Sequence, residues 1–354
     1  MRLSIRSVTP AITLLVYFCC RGMAQQIVFC RPCVQADMQF LASDTLRGRG
    51  SATRDEHLAA LYAASLFASF GLEPGGDNGS FVQKAPVDIS RLPPRMQQRL
   101  QAFEAVPRTE TWNVVGILPG SLSDSLPGSQ KQTNDRTTDE AILLTAHLDH
   151  LGVGPAVSGD SIYNGADDDA SGTTAVIELA RALSRGPRPK RTILFVLFGS
   201  EEIGGMGNRY FLEHPPVPLD HIAANLEFEM IGRPDPAVPA GSFWLTGFER
   251  SNLGPELIRH GAHLAADPHP AEHFFQRSDN YALALRGIVA QTISSFNLHK
   301  DYHQPSDELS RIDFPYMTTV IESMVKPVEW LADTSWKPAW NPGGQPKPQP
   351  PGHH

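Results

Sequence analysis

The sequence has no basic run and no interleaving of basic with aromatic residues, and its formal net charge is −8. A nucleic-acid surface is therefore excluded. There is no HExxH helix for a zinc protease of that type, no GxSxG nucleophile elbow and no GxxxxGK[ST] phosphate loop. Cysteine is scarce, with 4 in 354 residues. All four precede residue 34, away from the acidic and histidine-bearing motifs, which argues against a cysteine nucleophile. The N-terminal apolar run, Ala11 to Cys20, is too short to span a bilayer comfortably. With Arg2 and Arg6 before it and Gly22-Met23-Ala24 after it, it predicts a signal peptide over 1–24 and an exported, periplasmic or secreted protein with no stable membrane partner. Cys30 and Cys33 remain as C-R-P-C, and export favours a local disulfide between them.

What is present describes an ordinary globular chain, 41% hydrophobic and 19% charged. Helical periodicity runs over 34–71 with a polar, glycine-rich break between two helices. Extended segments follow at 81–87 and 111–118. From Ala141 two continuous apolar strands (141–148, 191–200) and further strands (223–231, 242–246, 287–293) alternate with helices (173–186, 208–214, 254–265), ending in one helix over 314–332. Strands apolar on both faces and separated by helices predict an α/β fold: a three-layer α/β/α sandwich around a mostly parallel mixed sheet. One domain is expected over 25–334, its catalytic core from about 111, with a proline-rich unpacked tail over 335–354. Active sites of such sheets lie beyond the carboxyl ends of the strands.

The charged motifs sit at those ends. TAHLDH places His147 and Asp149 on one side of an extended backbone. NGADDDASG puts Asp167, Asp168 and Asp169 together just before a helix, where one aspartate would serve as a cap but three ask for another explanation. FGSEEIGG follows an apolar strand with Glu201 and Glu202. On a loop their side chains point apart, so one can bind a metal while the other moves a proton. NLEFEMIGR puts Glu227 and Glu229 on one side of a strand, and HKDYHQPSDE supplies His299 and His303.

The order HxD, GADDDASG, EE, an acid before MIGR, then YHQPSDE resembles the zinc-dependent exopeptidases of the M28 aminopeptidase family, which are related in fold to glutaminyl cyclases. FLASDTLRGRGSATRDEHL, TWNVVGILPG and FQRSDNYALALRGIVA resemble further segments of that family. The resemblance implies two zinc ions: His147, Asp168 and Glu229 around one, and Asp168, Glu202 and His303 around the other, with Asp168 bridging. It implies Asp149 as the residue orienting His147. Glu201 would be general base and acid toward a metal-bridged hydroxide attacking the N-terminal bond of a peptide with a free amino end. Asp279 and Tyr302 are candidates for substrate contacts. Two departures stand out. The family usually has aspartate before M-I/V-G, where this chain has Glu229 or, in another register, Glu227; Asn280 stands where histidine is common. Glu229 is preferred because the residues after it match without a gap. A single-zinc, glutaminyl cyclase-like enzyme and a carboxypeptidase of the same fold are the alternatives.

Overall fold

The computed structural model describes residues 29–121 and 140–347. The expected signal peptide and the last residues of the tail lie outside them. In chain order the strands are β1 (Glu73–Pro74), β2 (Val82–Pro86), β3 (Glu110–Leu118), β4 (Ala141–His147), β5 (Gly152–Val157), β6 (Asp160–Tyr163), β7 (Thr192–Phe198), β8 (Ile222–Phe228), β9 (Phe243–Leu245), β10 (Leu264–Ala266) and β11 (Ala290–Ser294). The helices are α1 (Arg31–Leu41), α2 (Arg54–Ser69), α3 (Pro94–Gln101), α4 (Gly172–Leu183), α5 (Met206–Glu213), α6 (Leu253–Arg259), α7 (Asn280–Ala284), α8 (Phe314–Ser323) and α9 (Val325–Asp333).

Every residue of β4, and all but the first of β7, is buried. Their side chains alternate between two separate cores. Ile142, Leu144, Ala146, Ile193, Phe195 and Leu197 face the core built with α1, α2, α4, α8 and α9. Ala141, Leu143, Leu194, Val196 and Phe198 face the core built with Phe211 of α5 and Leu283 of α7. A period of two divided between two apolar layers is what a doubly covered strand requires. Among the described residues nine strands form the sheet, in the order β1-β3-β7-β4-β8-β11-β9-β10, with β2 also paired to β3. The central run β7-β4-β8-β11 is parallel, and β3 and β9 flank it antiparallel. The architecture is the expected three-layer α/β/α sandwich around a mixed sheet.

Four local features differ from the sequence reading. The closing helix is two helices, interrupted at Met324. Pro327 has no N–H to continue a helix through that turn, so it sits in the first turn of a new one. The helix expected to reach Ala265 ends at Arg259, because Gly261 adopts φ +102° and releases the chain into β10. The connector between β2 and β3 contains α3. The tail expected to be unpacked from Ser335 lies on the body as far as residue 347. Trp336 and Trp340 anchor it against the core, and Asn341 N–H donates to Arg250 O at 2.8 Å. Two large apolar side chains outweigh a proline-rich composition. Cys30 and Cys33 are disulfide-bonded across the start of α1, with Cα atoms 5.3 Å apart.

Candidate metal centre

The three adjacent aspartates point three ways. Asp169 closes the turn into α4: its Oδ1 accepts from Gly172 N–H (2.9 Å) and Met230 N–H (3.1 Å), and its Oδ2 from His147 N–H (3.3 Å). Asp167 accepts from Gly232 N–H at 2.7 Å and faces His299 Nε2 at 3.0 Å. Asp168, following a left-handed Gly165 and joined to Asp169 by a cis peptide, is left to face the cleft. A side chain at Gly165 would collide with the Asp168 carbonyl at 2.1 Å and the His150 ring at 2.5 Å, so glycine is required there for closeness as well as for its φ of +58°. One aspartate of the three is a helix cap, as the simplest sequence reading has it; its neighbours do other things.

The side chains expected to be ligands converge on Asp168. His147 ends β4, and its Nε2 lies 3.1 Å from Asp168 Oδ1. Glu202, in the loop after β7, places Oε1 3.1 Å from His303 Nε2, which is itself 3.2 Å from Asp168 Oδ2. Donor atoms of His147, Asp168 and Glu229 all lie within 4.8 Å of one another, and so do those of His150, Asp168 and Glu202. Glu227 is elsewhere, accepting from Asn280 N–H and the Thr292 hydroxyl. The two glutamates separate because β8 ends at Phe228 and Met230 turns the chain at φ +52°. Ser200 (φ 58°) and His303 (φ 56°) show the same left-handed turn, so three site segments are aimed by backbone that ordinary residues seldom adopt.

These ionisable groups perturb one another. Burial pushes the Glu202 carboxyl up, but His303 and His150 outweigh it and hold it well below the usual range. Burial pulls the His147 imidazole down, and the Asp149 and Asp168 carboxylates more than reverse this. Glu201 is driven well above the carboxylate range by burial, opposed by His147 and reinforced by Glu202 and Asp279. Glu229 is raised to about 7, burial again leading, with His147 opposing and Asp168 adding to it. Meanwhile His147 Nε2, Asp168 Oδ2, Glu202 Oε1 and both His150 nitrogens are buried and make no hydrogen bond of acceptable geometry among the described residues. Buried polar atoms are normally satisfied, so a set left open together marks where something else binds. Imidazole nitrogens and carboxylate oxygens around shared Asp168 fit zinc.

Several supports were not singled out in the sequence. His150 is fully buried, with Nδ1 2.9 Å from Glu202 Oε1; its only signal was its place directly after Asp149. The Asp149 carboxylate mostly holds the EE loop. It accepts from Glu201 N–H (2.9 Å), Glu202 N–H (3.3 Å) and the Ser51 hydroxyl (2.5 Å), while His147 Nδ1 faces the Asp149 carbonyl at 3.2 Å and the carboxylate only at 3.8 Å. Glu56 of α2 accepts from Ser200 N–H at 2.8 Å. Arg49, fully buried, donates to the carbonyls of Leu41, Leu148, Asn164 and Gly165, clamping the HxD and DDD loops together. Asp307, at the end of YHQPSD, accepts from Asp167 N–H and Asp168 N–H at 3.0 and 3.1 Å.

Comparison with known proteins agrees with this geometry. The sequence profile of Peptidase family M28 matches residues 128–326, more than half of the chain. The chain belongs to peptidase family M28. The probable lipoprotein aminopeptidase LpqL of Mycobacterium tuberculosis is 32% identical over 221 residues, 51% of this chain and 41% of that protein. Aminopeptidase YwaD of Bacillus subtilis is 32% identical over 111 residues, 31% of this chain and 22% of that one. The chain thus spans less than half the length of these relatives. Among solved structures, the zinc aminopeptidase BSAP of Bacillus subtilis has a TM-score of 0.61 at 16% identity, covering 87% of this chain and 96% of that one. A glutaminyl cyclase of Porphyromonas gingivalis has a TM-score of 0.57 at 17% identity, covering 86% and 100%. At such identities the two structures establish the fold alone.

In this M28 chain one of the remaining candidates, Tyr302, borders a cavity beside the donor groups. Tyr302 stacks on His303 with ring centroids 3.8 Å apart and borders a cavity of about 380 Å³ with Glu229, Trp244, Phe274 and Phe296. Asp279 is buried, its Oδ1 accepting from Asn208 Nδ2 at 2.9 Å. Asn280, where the family commonly has histidine, is buried; its Nδ2 donates to the Phe275 and Ala290 carbonyls, and its Oδ1 has no partner among the described residues.

Proposed function

We propose that this protein is a zinc-dependent exopeptidase that removes residues from the amino end of peptides. The observation that carries the reading is the pair of open donor groups sharing Asp168 beside a glutamate that is committed to neither. His147, Asp168 and Glu229 would hold one zinc; Asp168, Glu202 and His303, with His150 alongside, would hold a second. Zinc in these positions supplies Lewis-acid polarisation of the scissile carbonyl and acidifies water near neutral pH.

The chain's own groups do the rest. The Glu201 carboxylate makes no side-chain hydrogen bond among the described residues, while its N–H is fixed on Asp149. Its raised proton affinity suits a group that takes a proton from attacking water and hands it to the leaving amine. The cavity beside Glu229, walled by Trp244, Phe274 and Phe296, would take the side chain of the first residue, favouring a bulky apolar one. Asp279, whose Oδ2 has no partner among the described residues, would meet the free ammonium group. Tyr302 would place its hydroxyl near the developing oxyanion.

The test is mass spectrometry of an unblocked peptide with leucine first and glutamine second, after incubation with zinc-loaded protein whose zinc per chain has been measured. Two zinc per chain and stepwise loss from the amino end are expected. One zinc with ring closure of the exposed glutamine would make it a cyclase, and trimming only at the carboxyl end a carboxypeptidase; either result overturns the reading.

A further inference from the structure

A second cavity borders the metal centre at Glu202, and the connector helix α3 forms one of its walls. Met96 and Leu100 of α3 pack with Leu92 onto Ile203, the residue after Glu202. That contact carries Arg99 to the site, where Nη2 donates to Glu202 Oε2 at 3.0 Å and lies 3.2 Å from His303 Nδ1. The other guanidinium nitrogens of Arg99 have no hydrogen-bond partner among the described residues, and the side chain is 37% exposed. Arg99, Leu100, Phe103, Arg108, Glu202 and Ile203 line a narrow space beside the site. Arg108 is already engaged, buried and donating to the Ser51 carbonyl, so Arg99 is the guanidinium with donors to spare.

The two cavities share no lining residue, and each borders a different donor group. The aromatic one borders Glu229 and this one borders Glu202, while Asp168 belongs to both groups. A peptide bond lying across the shared aspartate has its first residue on one side and its second on the other. We infer that the cavity under α3 receives the leaving residue and that Arg99 reads a carboxylate on it, which rests on the exopeptidase reading above. A guanidinium with a free planar edge pairs with a carboxylate through two parallel hydrogen bonds. The apolar wall of Leu100, Phe103 and Ile203 strengthens that pairing by excluding water. The substrate class is thus a short peptide with an anionic second residue. The anion is either the terminal carboxylate of a dipeptide or an acidic side chain.

Three substrates separate these sources: leucyl-glycine, leucyl-glycinamide and the α-amide of leucyl-glutamate, each with wild type and Arg99→Ala. In wild type, kcat/KM for at least one carboxylate substrate is expected to exceed that for the glycinamide by on the order of tenfold. In Arg99→Ala the ratio falls toward one. Preference for leucyl-glycine alone assigns the terminal carboxylate; preference for the glutamate amide assigns the side chain. Zinc per chain is measured on both proteins. An equal loss on all three substrates, together with lost zinc, would show that Arg99 only braces Glu202 and would overturn the inference. Calorimetric titration of metal-free protein with leucyl-glycine and its amide repeats the comparison without turnover. Tighter binding of the free carboxylate by wild type, erased in Arg99→Ala, supports it, and equal binding refutes it. A protein that discriminates in calorimetry yet hydrolyses nothing would keep the carboxylate site and lose the exopeptidase reading.

Discussion

Adjacent strands β4 and β7 carry buried charge at both ends, and the two ends treat it differently. At the amino ends, Arg191 is fully buried against Glu140, Nε donating to Oε2 at 2.9 Å. Its Nη1 donates to the Leu331 carbonyl at 2.8 Å and its Nη2 to the Trp336 carbonyl at 3.0 Å. At the carboxyl ends of the same strands, His147, Asp168 and Glu202 face one another with buried atoms that no hydrogen bond among the described residues satisfies. Charge completed within the chain is architecture. Charge gathered with buried atoms left open among the described residues is a site, even though Arg99 pairs with one oxygen of Glu202.

The largest effect that would test this division is at the open end. Glu201→Gln keeps the shape of the side chain and removes its ability to accept a proton. We expect kcat on a leucine-first peptide to fall by about a thousandfold, with zinc per chain and Tm close to wild type. Near-wild-type turnover would remove Glu201 from the reaction and leave the open end without its proton carrier.

The converse change is at the closed end. Arg191→Met leaves Glu140 with only the exposed Lys337 amine, 3.0 Å away, among the described residues, and two carbonyls without their donor. Breaking one side of a buried ion pair costs about 3 kcal/mol or more. Urea denaturation should show that loss, while kcat per folded molecule and zinc content stay put. A variant that keeps its stability but loses activity would mean the two ends are not separable, and that the strands transmit more than position.

The side chains that the sequence reading singled out as ligands come together because several of their signals are local: His147 ends β4, Glu202 lies in the loop after β7 and Glu229 follows β8, and the spacing within HxD or EE survives in three dimensions. Supports acting across long separations stayed hidden. Arg49 reaches carbonyls up to 116 residues away, Glu56 holds Ser200 over 144, and Asp307 holds Asp167 over 140. Each does so by bonding backbone, which leaves no pattern in the partner's side chain. Arg99 was hidden for another reason. Its helix is short and largely polar, with two leading prolines, so its apolar contacts through Met96 and Leu100 are too few to stand out as a period. The register of Glu227 and Glu229 could not be decided from alternation alone, since a strand places both on one side; the turn at Met230 separates them.

A third buried carboxylate limits how far an unsatisfied atom can be read as a site. Glu178 on α4 is buried beside Asp37, with Oε1 accepting from Arg181 Nε at 2.8 Å and Oε2 unpartnered among the described residues. Asp37 in turn accepts from the Tyr62 hydroxyl at 2.7 Å. No group of imidazoles gathers there. Burial first, and Asp37 second, push the Glu178 carboxyl to about 8 against the pull of Arg181, so at neutral pH it keeps its proton. A carboxyl whose folded value lies above its unfolded one stabilises the fold at low pH, and that contribution drains away as pH rises toward the folded value. Glu178→Gln resembles the protonated form at every pH. The Tm difference between variant and wild type should therefore grow in the variant's favour from about pH 5 to pH 8 and level off above it, by an amount on the order of a few degrees. A difference that is flat across that range would mean Glu178 is ionised throughout and satisfied by Arg181, returning it to the class of closed charge that Arg191 represents.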